Sequence, residues 1–531
     1  MTQSKPEYSE LEEFQLRSSK IKDLRELGID PFPHGYKQTE SAKELHAKFE
    51  NAEIGFSEDA ENGTTPGACL SGRLVLFRAM GKNAFGHIQD HTGRIQIMMN
   101  RDHTALEGYM QDDPKPIKII DKKIDLGDII GVEGHLFHTH KGELTLYVKK
   151  LTLLCKTLLP LADKHSGLAD IETRYRKRWL DLISNPEVQD VFRKRSRIIS
   201  FIRDFLDQQG FLEVETPVLQ SIYGGADARP FLTKLNALHQ EMFMRISLEI
   251  PLKKLIIGGM DKVYEIGRVF RNEGIDRNHN PEFTLLEAYA ANWDYNDMML
   301  LMEQLLEKLA IMLYGTTKIV SKAAEGKEVI LDVKAPWPRL TVKEAIKQYG
   351  SMDVEQMSDD EMKTFLLRSG HVAPEKLPTM NRGLLIGAIF EVVAEPHLVQ
   401  PHHITDHPIE TTPFCKLHRD PKKREEGLVE RFESFILGHE ICNAYTELND
   451  PHKQRELLEI QAARREAGDE EASPLDEEFI EAICQGMPPS GGIGIGIDRL
   501  VMILLNSHSI RDVLYFPWMK PKEEYSIEKE V

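Results

Sequence analysis

Apolar and polar residues alternate in short runs across residues 69 to 154. A period of two is typical of strands that bury one face, and turn residues at 91–93 and 141–142 separate two pairs of these runs. The predicted strands cover residues 73–78, 86–90, 94–100, 129–138 and 143–154. Five such strands, with a helix after the third, predict a small closed β-barrel of the OB type.

Apolar residues recur at helical spacing before this segment, and a mixed pattern follows it. Residues 9–28 are predicted to form a helix whose other side is basic. That basic side fits either a solvated face or a nucleic-acid contact, and it carries Arg17, Lys20, Lys22 and Arg25. Beyond residue 173, helices and strands mix without strict βαβ alternation. This pattern favours an α+β domain with a mainly antiparallel sheet flanked by helices.

The changes of pattern divide the chain into five predicted segments. They are an N-terminal helical extension (1–65), the barrel (66–157), a linker (158–172), the α+β domain (173–520) and an acidic tail (521–531). Within the α+β domain, residues from about 320 to 390 are predicted to form a helical insertion.

Composition narrows the class of protein. The 531 residues include 85 acidic and 67 basic ones, and 41% are hydrophobic, which excludes wholesale disorder and a membrane bundle. No run of about 18 apolar residues exists, so no membrane partner is expected. The N-terminus lacks an export signal, and the five cysteines form no CxxC pair, so we expect a cytoplasmic location. A basic run over 174–197 fits either phosphate contacts or charge pairing on helix surfaces.

Residues 264–289 contain the first cluster of candidate chemistry. Read as two antiparallel strands, residues 264–273 and 280–289 each show a period of two. If the two faces coincide, one surface carries Arg271, Glu273, Phe283, Glu287 and Tyr289. Such a surface is a poor hydrophobic core, and it fits either a ligand platform or a surface ladder of ion pairs.

A second cluster lies in residues 431–450. Two strands around a turn at Gly438 and His439 would place Glu433 and Glu440 on one face. Two carboxylates there fit Mg²⁺, with phosphates completing its shell. Asn443, Tyr445 and Glu447 fall on the opposite face by strict alternation, so they join the same site only if the strand has a bulge or a strong twist.

Glycine and isoleucine alternate from Gly491 to Ile497, just before Asp498 and Arg499. The pattern predicts a strand with one apolar face and one bare face, which permits close approach of a flat ligand or another backbone. It is not the dinucleotide fingerprint, because no GxGxxG precedes the following helix.

Taken in order, these blocks resemble motifs 2 and 3 of the class II aminoacyl-tRNA synthetases, and GFLEVETP at 210–217 resembles motif 1. The barrel is also typical of the aspartyl, asparaginyl and lysyl subgroup. Three further blocks resemble the lysine-specific members of this subgroup. They are GGADARPF at 224–231, RISLE at 245–249 and NAYTELND at 443–450.

The resemblance implies an enzyme that joins L-lysine to tRNA(Lys) through a lysyl-adenylate, with residues 173–520 as its catalytic domain. Arg271 and Arg499 would be catalytic. The ATP-binding set would be Arg271, Glu273, His279, Asn280, Phe283, Glu433 and Arg499, with Mg²⁺ on Glu433 and Glu440. The lysine-binding set would be Gly225, Glu249, Arg271, Glu287, Tyr289, Asn443, Tyr445 and Glu447.

The resemblance also assigns roles to the barrel and to motif 1. The barrel would read the anticodon through Arg78, Phe85, Gln96 and Glu143. Unpaired bases need a stacking face and hydrogen-bonding edges, which these residue types supply. Motif 1 would form the seam of a homodimer.

Two alternative functions stay open at this point. An aspartyl- or asparaginyl-tRNA synthetase shares the barrel and the motifs, but a pocket for an acidic side chain should offer cations, whereas residues 443–450 offer Glu447 and Asp450. A non-catalytic tRNA-binding paralogue should have lost some of Arg271, Glu433, Glu440 and Arg499, and all four are present.

Overall fold

The computed structural model describes residues 6–111, 113–161, 168–322 and 327–521. Residues 162–167 of the predicted linker and nearly all of the predicted acidic tail therefore lie outside the described residues. The chain forms two compact units, Met1–Ala169 and Asp170–Val531.

The first unit is built on a closed barrel. Its strands are β1 (Gly67–Met80), β2 (Asn83–Gln89), β3 (Arg94–Asn100), the two-residue β4 (Ala105–Leu106), β5 (Ile129–His138) and β6 (Leu144–Cys155). The long strands follow the order β3-β2-β1-β5-β6, and a parallel pairing of β3 with β6 closes the barrel. Alternate residues such as Ile95, Ile97 and Leu146 fill the interior. The prediction of a five-stranded OB-type barrel is confirmed.

Helices of the N-terminal segment share the barrel's hydrophobic core. A 3₁₀ turn (Glu7–Glu10) precedes α1 (Glu12–Glu26), α2 (Ala42–Phe49) and α3 (Ser57–Glu61), and α4 (Pro116–Lys123) follows β4. Leu24 of α1 and Leu45 of α2 are fully buried with the barrel interior. On the basic side of α1, Arg17 is buried and bonds to Glu13 and Thr157, and Lys20 pairs with Asp125 at 2.6 Å. Half of the basic face is therefore used inside this unit.

The second unit is built around an eight-stranded sheet with the order β15-β16-β17-β18-β19-β12-β11-β7. All neighbours are antiparallel except the two end pairs, β15 with β16 and β7 with β11. The prediction of a mainly antiparallel sheet is confirmed. The strands of this unit are β7 (Leu212–Glu213), β8 (Leu219–Gln220), β9 (Leu232–Leu235), β10 (Gln240–Met244), β11 (Lys262–Phe270), β12 (Glu282–Ala291), β13 (Lys318–Lys322), β14 (Glu328–Asp332), β15 (Arg339–Thr341), β16 (His402–Thr405), β17 (Arg431–Ile436), β18 (His439–Thr446) and β19 (Ser490–Gly496).

Helices flank this sheet. They are α5 (Ile171–Arg176), α6 (Arg178–Ser184), α7 (Pro186–Gln208), α8 (Glu249–Ile257), α9 (Tyr295–Tyr314), α10 (Val342–Gly350), α11 (Asp359–Ser369), α12 (Arg382–Val393), α13 (Pro421–Glu425), α14 (Pro451–Glu466), α15 (Glu477–Cys484), α16 (Ile497–Leu504) and α17 (Ile510–Val513), with 3₁₀ turns at Leu377–Thr379, Glu395–His397 and Ile409–Thr411. One face of the sheet packs against α7, α9 and α16 in the main core, where Phe432, Ala444, Ile493 and Ile495 are buried. The central strands leave their other face open for the site.

The predicted helical insertion at 320–390 begins with strands. Strand β13 pairs with β14, with Val320 opposite Ile330, and both strands contain β-branched residues. The helices α10, α11 and α12 then pack around their own apolar cluster, which includes Ile346, Leu366 and Ile389.

Charge pairing explains much of the basic run at 174–197. Arg178 is buried and pairs with Asp181 at 2.5 Å, and Arg174 joins the same carboxylate group. Arg195 is also buried and pairs with Asp498 at 2.6 Å. These arginines stabilise the fold, and the phosphate interpretation does not apply to them. Within the described residues, none of the helices is long and apolar enough to cross a membrane.

Candidate active site

A cavity of about 450 Å³ lies on the open face of the eight-stranded sheet. Strands β12, β17, β18 and β19, the loop after β11 and the start of α16 contribute to its walls. Fourteen of the residues predicted for the site line it: Gly225, Glu249, Arg271, Glu273, His279, Asn280, Phe283, Glu287, Tyr289, Glu433, Glu440, Asn443, Tyr445 and Arg499.

The bare face of β19 forms the floor of this cavity. The strand runs between β12 and β18, with Gly492 between Tyr289 and Tyr445, and Gly494 between Glu287 and Asn443. The isoleucines of the same strand point into the main core. Because the glycines carry no side chains, the neighbouring strands project theirs around an open floor.

Arg271 and Phe283 share one wall, as the predicted pairing of the two strands requires. Strand β11 pairs with β12 through Val269 and Phe283, and the Arg271 guanidinium lies 5.2 Å from the centre of the Phe283 ring. The strand ends at Phe270, earlier than predicted, so Arg271 and Glu273 lie in the loop that follows. Arg271 keeps its position through one more backbone hydrogen bond, which its N–H donates to Pro281.

A β-bulge settles which residues of the 431–446 hairpin share a face. Glu433 pairs with Asn443, but Phe435 pairs with Glu440, so Ile441 is an extra residue in β18. The bulge lets Glu433, Glu440, Asn443 and Tyr445 line one cavity. The turn consists of Leu437 and Gly438, both at positive φ, so the predicted turn at Gly438 and His439 is wrong by one residue.

Glu433 and Glu440 form a pair of carboxylates at one end of the cavity. Burial raises the pKa of Glu440, and the charge of Glu433 raises it further. Burial also raises the pKa of Glu433. Arg431 donates to Glu433 Oε1 at 2.6 Å, and Arg499 donates to the backbone oxygen of Glu440 at 2.5 Å. Two carboxylates that repel each other fit a divalent cation with hard oxygen ligands. Among the described residues, no three metal-binding side chains are arranged to hold an ion by themselves, so other ligands would complete its shell.

Glu287 lies at the opposite end and is buried. It accepts hydrogen bonds from Ser247 Oγ at 2.8 Å, from Leu248 N–H at 2.9 Å and from Tyr289 Oη at 2.8 Å. Burial and the neighbouring Glu249 carboxylate nevertheless raise the pKa of Glu287 to about 7.

Glu249 and Glu447 lie beside it and share one cation. Glu249 accepts a hydrogen bond from Tyr445 Oη at 2.8 Å and pairs with the ammonium of Lys253. Glu447 Oε2 lies 2.5 Å from the same ammonium. Burial raises the pKa of Glu447 to about 8, although Lys253 opposes the shift. Glu447 stands just behind the lining of the cavity, beside Gly492.

This end of the cavity therefore has more buried negative charge than positive. Glu249, Glu287 and Glu447 are three buried carboxylates, and among the described residues Lys253 is the one ammonium in the cluster, in contact with Glu249 and Glu447. Burying an unpaired carboxylate is costly, so such groups hold protons near neutral pH until a cation arrives. The arrangement favours a cationic ligand.

The His279 and Asn280 side chains bind other groups of the protein. His279 is exposed and pairs with Asp276 at 2.8 Å. The amide of Asn280 donates to Glu282 O at 2.6 Å and accepts from Trp518 N–H at 3.1 Å. Both residues line the cavity, but the Asn280 side chain bonds to the protein at both of its polar ends.

Sequence reasoning missed Ser247, Arg431 and Lys253. Arg431 bonds to both Glu433 and Asn443, and its spacing of two from Glu433 on a strand was a usable signal. Lys253 lies four residues after Glu249 in a mostly apolar helical stretch, and that spacing is typical of an ion pair on one helix face.

On the barrel, the four predicted anticodon residues lie on its outer surface. Arg78 is opposite Phe85 on β1 and β2, and Gln96 bonds to Thr145 at 2.9 Å. Glu143 is exposed and contacts His87 at 3.1 Å. Phe85 is half-buried against Met98, Phe137 and Tyr147.

Comparison with known proteins identifies the family. A sequence model described as tRNA synthetases class II (D, K and N) matches residues 170–520, and one described as an OB-fold nucleic acid binding domain matches residues 68–154. The chain belongs to the class II tRNA synthetases of the D, K and N group. It is 55% identical to the lysine–tRNA ligase of Chlamydia caviae over 98% of this chain and 99% of that protein.

Two further relatives are less similar. The lysine–tRNA ligase of Moorella thermoacetica is 46% identical, over 96% of this chain and 98% of the relative. That of Trichormus variabilis is 44% identical, over 96% of this chain and 88% of the relative. Similarity to these ligases spans both units of this synthetase.

Gly492→Ala should disrupt the acidic end of the cavity. The new Cβ would lie 2.0 Å from Glu447 Oε1 and 2.5 Å from Tyr289 Cε1, so the side chains must shift. We expect a destabilisation of about 1–3 kcal/mol, as for overpacking, and loss of amino-acid binding. Gly494→Ala is the matched stability control, because its Cβ would meet nothing nearer than 3.8 Å. Equal thermal unfolding midpoints for the two variants would contradict this packing.

Proposed function

We propose that this synthetase attaches L-lysine to tRNA(Lys) through a lysyl-adenylate, with ATP as the energy source. The observation that carries the proposal is the excess of buried carboxylates at one end of the cavity. The stem of lysine ends in a compact ammonium that needs such a partner when it leaves water. Tyr289 and Tyr445 flank the same region and can pack against the stem.

In the first step, the lysine carboxylate attacks the α-phosphorus of ATP and pyrophosphate leaves. A ribose hydroxyl at the 3′ end of the tRNA then attacks the lysyl carbonyl, and AMP leaves. Neither step demands a general base as much as it demands positioning and neutralised charge. Arg271 would hold the α-phosphate and the lysine carboxylate, because a guanidinium fork suits both.

The remaining roles follow from position in the cavity. Phe283 and Arg499 would enclose adenine, Glu273 would read its amino group, and His279 and Asn280 would border the ribose and phosphates. The α-amino group of lysine would be surrounded by Gly225, Glu249 and Glu287, with Asn443 also in the lysine site. Mg²⁺ held by Glu433 and Glu440 would neutralise phosphate charge when it is bound.

The alternative substrates, aspartate and asparagine, fit the acidic end less well. A carboxylate beside Glu249, Glu287 and Glu447 would add a fourth buried negative charge, and an amide would leave the excess uncompensated. The test is ATP–pyrophosphate exchange with each of the twenty amino acids. We expect exchange with lysine alone. Exchange with aspartate or asparagine would replace the substrate assignment, and no exchange at all would favour the non-catalytic paralogue.

Glu440→Gln should impair adenylate formation, because it keeps the size of the side chain and removes one charge of the proposed metal pair. We expect a steep loss of lysine-dependent exchange, with partial recovery as Mg²⁺ is raised. Glu478→Gln is the control, since that carboxylate is exposed and pairs with Lys254 away from the cavity. If the Glu440→Gln variant has normal exchange activity that does not change with Mg²⁺ concentration, Glu440 is not a metal ligand.

Glu447→Gln should weaken lysine use while sparing ATP. The variant keeps the shape of the side chain but removes a counter-charge, so we expect a loss on the order of 2–5 kcal/mol in lysine-dependent exchange. ATP affinity should barely change, because Arg271, Phe283 and Arg499 remain. If Glu447 merely stabilised the core, both substrates would suffer alike and the unfolding midpoint would fall.

Phe85→Ala should weaken tRNA charging, because the barrel is proposed to stack an anticodon base on that ring. The expected loss is on the order of 1–3 kcal/mol per base stack, with pyrophosphate exchange untouched. Phe32→Ala removes another partly exposed ring from the same unit and should leave charging unchanged. A parallel fall in exchange and charging would show that Phe85 supports folding instead.

We also propose that the chain forms a homodimer through motif 1. Strand β7 lies at an edge of the main sheet, and the strand and the segment after it expose apolar side chains. These are Leu212, Val218, Leu219, Ile222, Leu232 and Leu238. Sedimentation should give twice the chain mass of 60.7 kDa, and Leu212→Glu with Leu219→Glu should reduce it to one chain. A monomeric wild-type protein would contradict the proposal.

A role in protein synthesis and five cysteines without disulfides support a cytoplasmic location.

A further inference from the structure

Lys253 is a buried charged residue in helix α8, on a face that is mostly apolar. In α8 its neighbours Leu252 and Ile256 are buried, and the Lys253 side chain has no exposed surface. Aromatic rings surround its ammonium, with Phe414 at 4.8 Å and Tyr445 at 5.4 Å from Nζ to the ring centres. A buried ammonium costs far more than an apolar side chain of similar size would, so packing alone does not explain a lysine here.

The contacts of Lys253 join two parts of the fold at the cavity. Glu249 lies one helical turn earlier in α8, and Glu447 follows β18. Both carboxylates meet the same ammonium. Glu447 Oε1 is buried, has no hydrogen-bond partner among the described residues, and occupies the space beside Gly492 of the cavity floor.

Without this cation, Glu249 and Glu447 would face each other unpaired. Two buried carboxylates at close range do not both ionise, and one would keep a proton at neutral pH. That proton would compete with a substrate ammonium for the same oxygens. With Lys253 present, the group comprising Glu249, Glu287, Glu447 and Lys253 has a formal charge of −2 when fully ionised. The α- and ε-ammonium groups of lysine supply two positive charges.

We propose that Lys253 is a positioning residue that sets the specificity of the amino-acid pocket, holding Glu249 and Glu447 in place and cancelling one of their charges so that a substrate ammonium completes the set. This inference rests on the proposed lysine-dependent function. It adds an internal ammonium that acts on the substrate through the two carboxylates.

The groups that face Lys253 determine the pH dependence that the proposal predicts. From its own helix comes Glu249, from β12 comes Tyr289, and from β18 and the residue after it come Tyr445 and Glu447. The charge of Glu287 on β12 acts on the Glu447 carboxylate. The thiol of Cys415 and the rings of Phe414 and Phe479 complete the surroundings. Burial raises the pKa values of both tyrosines and of the thiol well above their usual ranges, whereas it raises the pKa of Glu287 to about 7 and that of Glu447 to about 8, so these two carboxylates are the groups that titrate between pH 6.5 and 8.5.

The experiment measures the dissociation constant of lysine from pH 6.5 to 8.5 for the wild-type protein and Lys253→Met. Loss of the ammonium should raise the pKa of the carboxylate pair, so a retained proton competes with lysine more strongly. A shift of one pKa unit gives weakening of about tenfold at pH 6.5, narrowing to roughly threefold at pH 8.5. Lys253→Arg, which keeps the charge, should retain the wild-type pH profile. Lys254→Met is the matched control, because that neighbour points outward to Glu478.

A purely structural role predicts a different result. Affinity would then change by the same factor at every pH, or not at all, and either outcome would overturn the proposal. If Lys253→Met does not fold, the double variant Lys253→Met with Glu447→Gln is the replacement. It removes one charge of each sign, so Glu249 no longer faces a second carboxylate. Compared with Glu447→Gln alone, the double variant should still shift the pH dependence of lysine affinity to higher pH, because Glu249 loses its ammonium. Identical profiles for those two proteins would also overturn it.

The two proposals fail separately. Wild-type protein that shows no lysine-dependent pyrophosphate exchange would refute the proposed function. Wild-type protein that uses lysine normally, together with a Lys253→Met variant of unchanged pH profile, would refute only the role of Lys253.

Discussion

The imbalance of buried charge at one end of the cavity is the constraint on which the rest of the site depends. Glu249 and Glu447 share a single ammonium, that of Lys253, and Glu287 beside them is held by neutral donors alone. Hydrogen bonds from Ser247, Tyr289 and Tyr445 hold the carboxylates in place but supply no positive charge. A fold that keeps such a cluster buried is less stable than one with an apolar core there, so a bound cation is the natural partner.

The main sheet makes this cluster possible. Strand β19 offers isoleucines to the core on one face and glycines to the cavity on the other, so its neighbours project side chains across an open floor. The bulge at Ile441 lets Glu440, Asn443 and Tyr445 of β18 line the same cavity. Charge is thereby distributed unevenly along the cavity, with Arg431 and Arg499 beside the Glu433 and Glu440 carboxylates at one end and an excess of carboxylates at the other.

Local pattern predicted the parts of this structure that depend on period and composition. Alternation predicted the barrel strands, and the glycine–isoleucine repeat predicted the bare face of β19. Tertiary contacts determined the rest. The end of β11 at Phe270 and the register of the 431–446 hairpin depend on neighbouring strands and on a turn with Leu437 at positive φ. The burial of Lys253 depends on Glu447, almost two hundred residues away, which no local spacing encodes.

Calorimetric titration of lysine and norleucine at pH 7.5, in two buffers of different ionisation enthalpy, tests the central claim most directly. The raised pKa values of Glu287, about 7, and Glu447, about 8, mean that the free site holds protons. An incoming ammonium lowers those pKa values, so lysine binding should release protons and tighten as pH rises through this range. Norleucine has a similar stem without the ammonium, and it should bind at least roughly a hundredfold more weakly. Comparable affinity for norleucine, or lysine binding without proton release, would contradict the account.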